Sequence, residues 1–240
     1  MNILEIEGLC KYFGGLAAAA DVDLHVGEGE IVGLIGPNGA GKTTVFNLVS
    51  GALVPDSGKV TFKGKSIAGL RPYEIAKMGI ARTFQSVKIF SKMSVLNNVL
   101  LGHLFGGSKQ MALTDSARRE TEEVLAFVGL KEMKETRAQD LILANQKRLE
   151  VARALATRPE LLLLDEVMAG LTPTEVALSM ELVRKIREKG VTVFMIEHVM
   201  KAIMSICDRI IVLHHGEKIA EGTPQEIVQN KTVIEVYLGE

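Results

Sequence analysis

Cysteine is scarce: Cys10 and Cys207 are the only two, and they lie far apart in the chain. That count excludes a disulfide framework and a CxxC metal pair, and it suits a reducing compartment. Neither sign of charge is in excess. The 28 Lys+Arg against 29 Asp+Glu leave a formal net charge of −1, which argues against a dedicated nucleic-acid binder, since phosphate neutralisation calls for a basic surplus. No apolar run approaches the roughly 18–20 residues that span a bilayer; residues 161–164 and 191–196 have the length of buried strands instead. The opening Met-Asn-Ile-Leu-Glu lacks the basic and apolar regions of a secretory leader. Repeats and low-complexity tracts are also missing, which excludes solenoids. The expectation is a cytoplasmic protein whose membrane part, where one is needed, comes from another chain.

What remains is the composition of an ordinary globule: 240 residues, 47% hydrophobic and 24% charged. A chain of this length fits one large α/β domain, or a core with a smaller subdomain. It buries roughly 70% of its unfolded surface without needing a structural metal.

Along the chain, residues 2–7 and 20–26 read as strands, with a turn at Gly27-Glu28-Gly29. Ile31–Ile35 is almost continuously apolar, as a strand buried on both faces should be. A glycine-rich turn and a helix over about 42–50 follow. From about Ser86 to Thr157 the texture is helical. One helix spans 116–128 with Gly129 as its stop, and another spans about 146–157, ending before Arg158-Pro159. Strand texture returns at 161–164. Thr172, Pro173 and Glu175 form a helix start with a capping box, and that helix should end near Lys189. Strands at 191–196 and 209–213 and a hairpin near His215-Gly216-Glu217 complete an α/β core interrupted by a helical insertion. His214 and His215 have no third partner in sight, so no metal site is expected there.

The strongest motif is Gly36-Pro37-Asn38-Gly39-Ala40-Gly41-Lys42-Thr43, a full match to G-x-x-x-x-G-K-[ST] between a buried strand and a helix. Glycines let backbone N–H groups wrap a phosphate without interference from Cβ, and the helix start adds partial positive charge. Lys42 is expected to reach the β- and γ-phosphates and Thr43 to ligate Mg²⁺; Thr44 joins the nucleotide-binding set. The second motif is Leu161-Leu162-Leu163-Leu164-Asp165-Glu166, a buried strand delivering two acids. Asp165 can hold Mg²⁺, and Glu166 can act as general base on an attacking water.

These motifs, with Arg82-Thr83-Phe84-Gln85, the helix carrying Arg148, Ala169-Gly170-Leu171 and His198, stand in an order and spacing that resembles the ATPase subunits of ABC transporters. The resemblance covers essentially the whole chain. It is strongest to the LivG-type ATPases of branched-chain amino-acid importers, through residues 79–85, 165–171, 196–198 and 233–238. It implies a P-loop NTPase of ABC type: a RecA-like core (1–87 and 156–240), an N-terminal antiparallel β region, and an inserted helical subdomain (88–155). It also implies ATP and Mg²⁺ as ligands. Phe13 would stack on adenine, with Tyr12 as neighbouring candidate. Gln85 would sense Mg²⁺ and water, and His198 would contact the γ-phosphate. The competing readings are core packing for Phe13, a surface glutamine for Gln85 and a turn histidine for His198. The implied partners are a second ATPase subunit, integral-membrane permeases and, indirectly, a periplasmic solute-binding protein, with the chain peripheral on the inner face of the membrane. Part of the apolar segment 87–104 would line a groove for a short permease helix, or else serve only as core. Importers of urea or amides, a soluble ATPase of the same fold, and a nucleotide-gated module with little hydrolysis remain as alternatives.

One segment departs from the family. Where Leu-Ser-Gly-Gly-Gln is usual, this chain has Leu141-Ile142-Leu143-Ala144-Asn145. In the family that loop contacts the γ-phosphate held by the opposite subunit. Ile142 has no hydroxyl to donate, and Ala144 adds a methyl group; the helix N-terminus and the Asn145 amide are the expected partial replacements. The resemblance then favours pairing with a different ATPase that carries an intact loop. Val167, where proline is common, leaves the acid pair unchanged.

Overall fold

The computed structural model describes residues 1–106 and 114–238. Two sheets carry the fold. The first is antiparallel, in the order β2-β1-β4-β5, from β1 (Asn2–Phe13), β2 (Leu16–Gly27), β4 (Ser57–Phe62) and β5 (Lys65–Ser66). The second has the order β10-β9-β3-β8-β7-β6. Its strands are β3 (Ile31–Ile35), β6 (Ile80–Arg82), β7 (Leu161–Asp165), β8 (Thr192–Ile196), β9 (Arg209–His214) and β10 (Glu217–Gly222). All its pairings are parallel except the β9–β10 hairpin, whose turn is His215-Gly216 as expected.

Strands β3, β7 and β8 are buried at every position, and their side chains alternate between two cores. Leu161, Leu163, Phe194 and Ile196 face the core shared with the antiparallel sheet and with α1 (Lys42–Val49). There Phe46 and Phe194 meet at 5.0 Å between ring centroids. Leu162, Leu164, Val193 and Met195 face the other way, onto α6 (Pro173–Glu188) and α7 (Met200–Ile206). A near-continuous apolar run is therefore what a strand between two cores requires. A third core joins α3 (Val95–Phe105), α4 (Asp115–Phe127) and α5 (Leu143–Leu155). Short helices α2 (Pro72–Met78), α8 (Pro224–Gln229) and α9 (Lys231–Leu238) and two 3₁₀ turns, Lys131–Met133 and Ala138–Asp140, complete the described elements.

Several elements depart from the sequence reading. Strands β1 and β2 run well beyond 2–7 and 20–26, because the ladder crosses Gly8 by an irregularity between Ile6 and Leu9. Gly8 is left-handed, and its N–H donates to Asp23 Oδ1 at 2.6 Å. Helix α5 starts at Leu143 rather than near 146, since Leu143-Ala144 are good helix formers with no glycine to halt them. The apolar segment 87–104 divides: Val95, Leu96 and Val99 are core, whereas Ile89, Phe90 and Leu101 line a cleft of about 650 Å³. Helix α6 begins as expected, with reciprocal Thr172–Glu175 capping.

Candidate active site

Four loops leave the carboxyl ends of neighbouring parallel strands, where open α/β sheets bind ligands. They follow β3, β6, β7 and β8 and carry Gly36–Lys42, Gln85, Glu166 and His198 respectively.

The loop after β3 is wedged between two strands. A Cβ on Gly36 (φ 151°) would come within 2.1 Å of the Leu213 carbonyl oxygen, and one on Gly41 (φ 99°) within 2.2 Å of that of Ala18. Only glycine fits at either place. Lys42 is buried, and its Nζ donates to the Gly36 and Pro37 carbonyls at 2.7 and 2.9 Å. Burial lowers its pKa, opposed by the charges of Glu166 and Asp165. Pro37, Asn38, Gly39 and Ala40 form the turn between these anchors, with Ala40 N–H donating back to the Pro37 carbonyl at 3.2 Å. Thr43 and Thr44 stand on the first turn of α1, Thr43 exposed.

Asp165 ends β7 almost fully buried. Its Oδ2 accepts from Arg82 Nη2 at 2.9 Å, and Arg82 is itself held by Asn47 and Ser50. Burial raises the Asp165 pKa, with the Arg82 pair opposing. Among the described residues its Oδ1 is buried with no protein partner. A buried carboxylate oxygen left open beside a phosphate loop fits a hydrated divalent cation. Among the described residues no cluster of three or more His, Cys, Asp or Glu forms a separate metal site.

Glu166 is the centre of the constellation. Its Oε1 is 2.8 Å from His198 Nε2, and its Oε2 accepts from Gln85 Nε2 at 3.1 Å. Two side chains singled out by the family resemblance, Gln85 and His198, thus meet the carboxylate of the expected base. Phe13 lies at the tip of the β1–β2 hairpin, half-exposed, with Lys11 Nζ 5.8 Å from its ring centre. It is not core; Tyr12 beside it is equally exposed.

Sequence reasoning missed four buried charges around these loops. Arg82 supports Asp165. Glu150 on α5 accepts from the N–H groups of Phe84 and Lys88 at 3.3 and 3.1 Å. Lys147 on α5 donates to the Glu166 carbonyl at 2.7 Å, and Glu197 accepts from Met168 N–H at 2.6 Å. For Lys147, Glu150 and Glu197 no motif flags a charge whose partner is main chain, and the Arg82 partners lie far off in sequence; the available signal was a charged residue at a position that a helix face or a strand end should bury. One expectation is overturned. Asn145 is turned inward, buried, with Nδ2 on Met133 Sδ at 3.3 Å, so its amide does not replace the missing serine. Ile142 and Leu143 are the exposed side chains there, at 63% and 44%.

The family model "ABC transporter" matches residues 19–169, and the model "Branched-chain amino acid ATP-binding cassette transporter" matches residues 217–240. The high-affinity branched-chain amino acid transport ATP-binding protein LivG of Salmonella typhimurium is 43% identical, over 99% of this chain and 98% of its own. BraF of Pseudomonas aeruginosa, named for the same transport, is 44% identical over 99% and 98%. A lipopolysaccharide export ATP-binding protein, LptB of Acidithiobacillus ferridurans, is 36% identical over 100% and 98%. Among solved structures, a nucleotide-free ATP-binding cassette from an ABC transporter superposes with TM-score 0.92 at 32% identity, covering all of both chains. A dimeric cassette bound to ADP and Pi gives 0.83 at 28% identity, covering 92% of this chain and 98% of its own. On the P-loop, the acid pair and these matches together, the chain belongs to the ATP-binding family of ABC transporters and is an ATPase of that type.

Proposed function

We propose that the chain is the ATP-hydrolysing subunit of a membrane importer for branched-chain amino acids. The observation that carries the hydrolytic chemistry is the Glu166 carboxylate, held at both oxygens by His198 and Gln85. Phosphoryl transfer asks mainly for positioning and charge stabilisation. Residues 36–44 cradle the triphosphate, Lys42 turns from its own loop carbonyls to the β- and γ-phosphates, and Phe13 stacks on the adenine. Asp165 Oδ1, the Thr43 hydroxyl and the Gln85 amide oxygen would hold Mg²⁺, which neutralises phosphate charge when bound. Glu166 takes the proton of the attacking water, and His198 meets the γ-phosphate.

Residues 88–155 act as the helical subdomain, and the cleft lined by Phe84, Ile89, Phe90, Leu101 and Phe105 receives a short permease helix. Among the described residues no helix is long and apolar enough to cross a membrane, so permeases anchor the chain to the inner membrane face, where a periplasmic binding protein supplies cargo from the other side. The cargo class rests on the match of residues 217–240 and on the LivG and BraF likeness. The exposed Ile142-Leu143 pair favours a heterodimer, in which a second ATPase with an intact loop completes the site built on Lys42 and Glu166.

Glu166→Gln should retain ATP binding and lose turnover by about 100-fold or more, whereas Lys42→Ala should weaken binding itself. Normal hydrolysis by Glu166→Gln would remove the base assignment. Uptake of labelled leucine by membranes carrying the assembled importer tests the cargo; transport of urea with leucine ignored would reassign it.

A further inference from the structure

The residues that support the site share one helix. Lys147 and Glu150 lie three residues apart on α5, so they project from one face. Both are buried, at 7% and 2% exposure. Lys147 Nζ donates to the main-chain carbonyl of Glu166 at 2.7 Å. Glu150 Oε1 accepts from Phe84 and Lys88 N–H, on either side of Gln85 in the chain. One face of α5 therefore grips the backbone of the base and the backbone of the loop whose Gln85 orients it.

The base needs that grip. Glu166 has φ 52°, in the left-handed region that a non-glycine residue occupies only under strain. Its N–H is tied to Ile196 O at 2.9 Å, and its carbonyl to Lys147. The acids facing Lys147 are Glu197, Glu166 and Glu150. Charges buried this deeply often stabilise a fold less than apolar residues of the same size would, so general stability is a poor account of their presence. The same helix starts at Leu143, directly after its N-cap Ile142 in the loop proposed to face the partner subunit.

We propose that Lys147 and Glu150 are positioning residues that set Glu166 and Gln85, making the geometry of the base depend on how the helix carrying the Ile142 loop is docked. This rests on the reading of Glu166 as base, and it goes further by naming what transmits partner contact to the base. Movement of α5 shifts both main-chain anchors together, and a displacement of about 1 Å at a reacting group can cost about 100-fold in rate.

The test measures turnover by the full chain in its assembled transporter, ATP affinity by equilibrium titration, and melting temperature. Lys147→Met should lower kcat about 30-fold with ATP affinity within about twofold, and Lys147→Arg should recover to within about fivefold. Glu150→Ala should lower kcat about tenfold, and Glu150→Gln, which keeps the accepting oxygen, should stay within about threefold. Where Lys147→Met does not fold, Lys147→Gln takes its place. Glu166→Gln runs in parallel: if it turns over normally, the base reading itself falls. If Glu166→Gln is inactive while Lys147→Met and Glu150→Ala keep kcat within about twofold, the positioning roles are refuted alone. A parallel loss of kcat, affinity and melting temperature, without rescue by Lys147→Arg or Glu150→Gln, also overturns the proposal.

Discussion

Replacing Glu197 by Gln should change how stability varies with pH. Glu197 is 1% exposed, and burial raises its pKa from 4.5 to about 7, although Met168 N–H, Lys147 and His198 N–H all favour the charged form. The charge of Glu166 adds to the rise. An acid with a raised pKa binds its proton more tightly in the folded state. The folded chain therefore holds more protons than the unfolded one between pH 4.5 and about 7, and stability falls as pH rises through that window. Raising this carboxyl from 4.5 to about 7 corresponds to about 3 kcal/mol. Gln keeps an oxygen for Met168 N–H and cannot ionise. The stability of Glu197→Gln relative to the parent should thus increase by about 3 kcal/mol between pH about 4.5 and about 8, or about 6–12 °C in melting midpoint. Urea unfolding followed by circular dichroism on both proteins at each pH isolates this effect, because the other titrating groups cancel in the difference. A difference that stays constant across the range would show that burial does not hold this carboxyl neutral.

Arg82→Met should cost about 3–5 kcal/mol of unfolding free energy at neutral pH, because it leaves the buried Asp165 carboxylate without its cation; urea unfolding reads it, and acidification should recover part of the loss by protonating Asp165. Gly41→Ala should destabilise the fold by several kcal/mol and abolish ATP binding, since its methyl group meets the Ala18 carbonyl at 2.2 Å. Gly39→Ala has open space around its Cβ and should cost only about 1–2 kcal/mol of left-handed strain, so comparing the two melting curves separates wedging from conformation. Restoring Ile142→Ser, Leu143→Gly and Ala144→Gly together should raise cooperative ATP hydrolysis by the purified chain alone; unchanged turnover would mean that this loop does not limit the homodimer.

How far the site could be read from sequence depended on what each residue bonds. Lys42 and Asp165-Glu166 were legible because a phosphate loop and a buried strand ending in acids impose residue types at fixed spacing. The Thr172 cap was legible for the same reason: its partner Glu175 is three residues away. Gln85 and His198 needed family likeness, since nothing local says that loops after β6 and β8 converge on one carboxylate; that follows from the strand order, in which β7 lies between them. Lys147, Glu150 and Glu197 stayed invisible because their partners are backbone groups, which leave no mark in residue identity. The start of α5 and the inward turn of Asn145 were missed because the aligned loop suggested glycine flexibility that Leu143-Ala144 do not have.

This loop would make the two nucleotide sites of a pair differ. The N-terminus of α5 has no side-chain cap, so its free N–H groups and helix dipole still favour an anion. Ile142 brings no hydroxyl, and Asn145, turned to Met133, does not supply its amide in its place. In the proposed pair, losing one charge-assisted hydrogen bond would weaken closure over the partner's ATP by about 1.5–3 kcal/mol, a factor of roughly 10–150. The chain's own half-site, by contrast, holds Lys42, Asp165, Glu166, Gln85 and His198 in one cleft. A subunit that keeps the hydrolytic groups and weakens the loop it lends to its neighbour gives most in a pair where the neighbour supplies a good loop. In such a pair one site turns over quickly and the other holds nucleotide loosely, whereas two copies of this chain would have two weakly closed sites and slow hydrolysis at both.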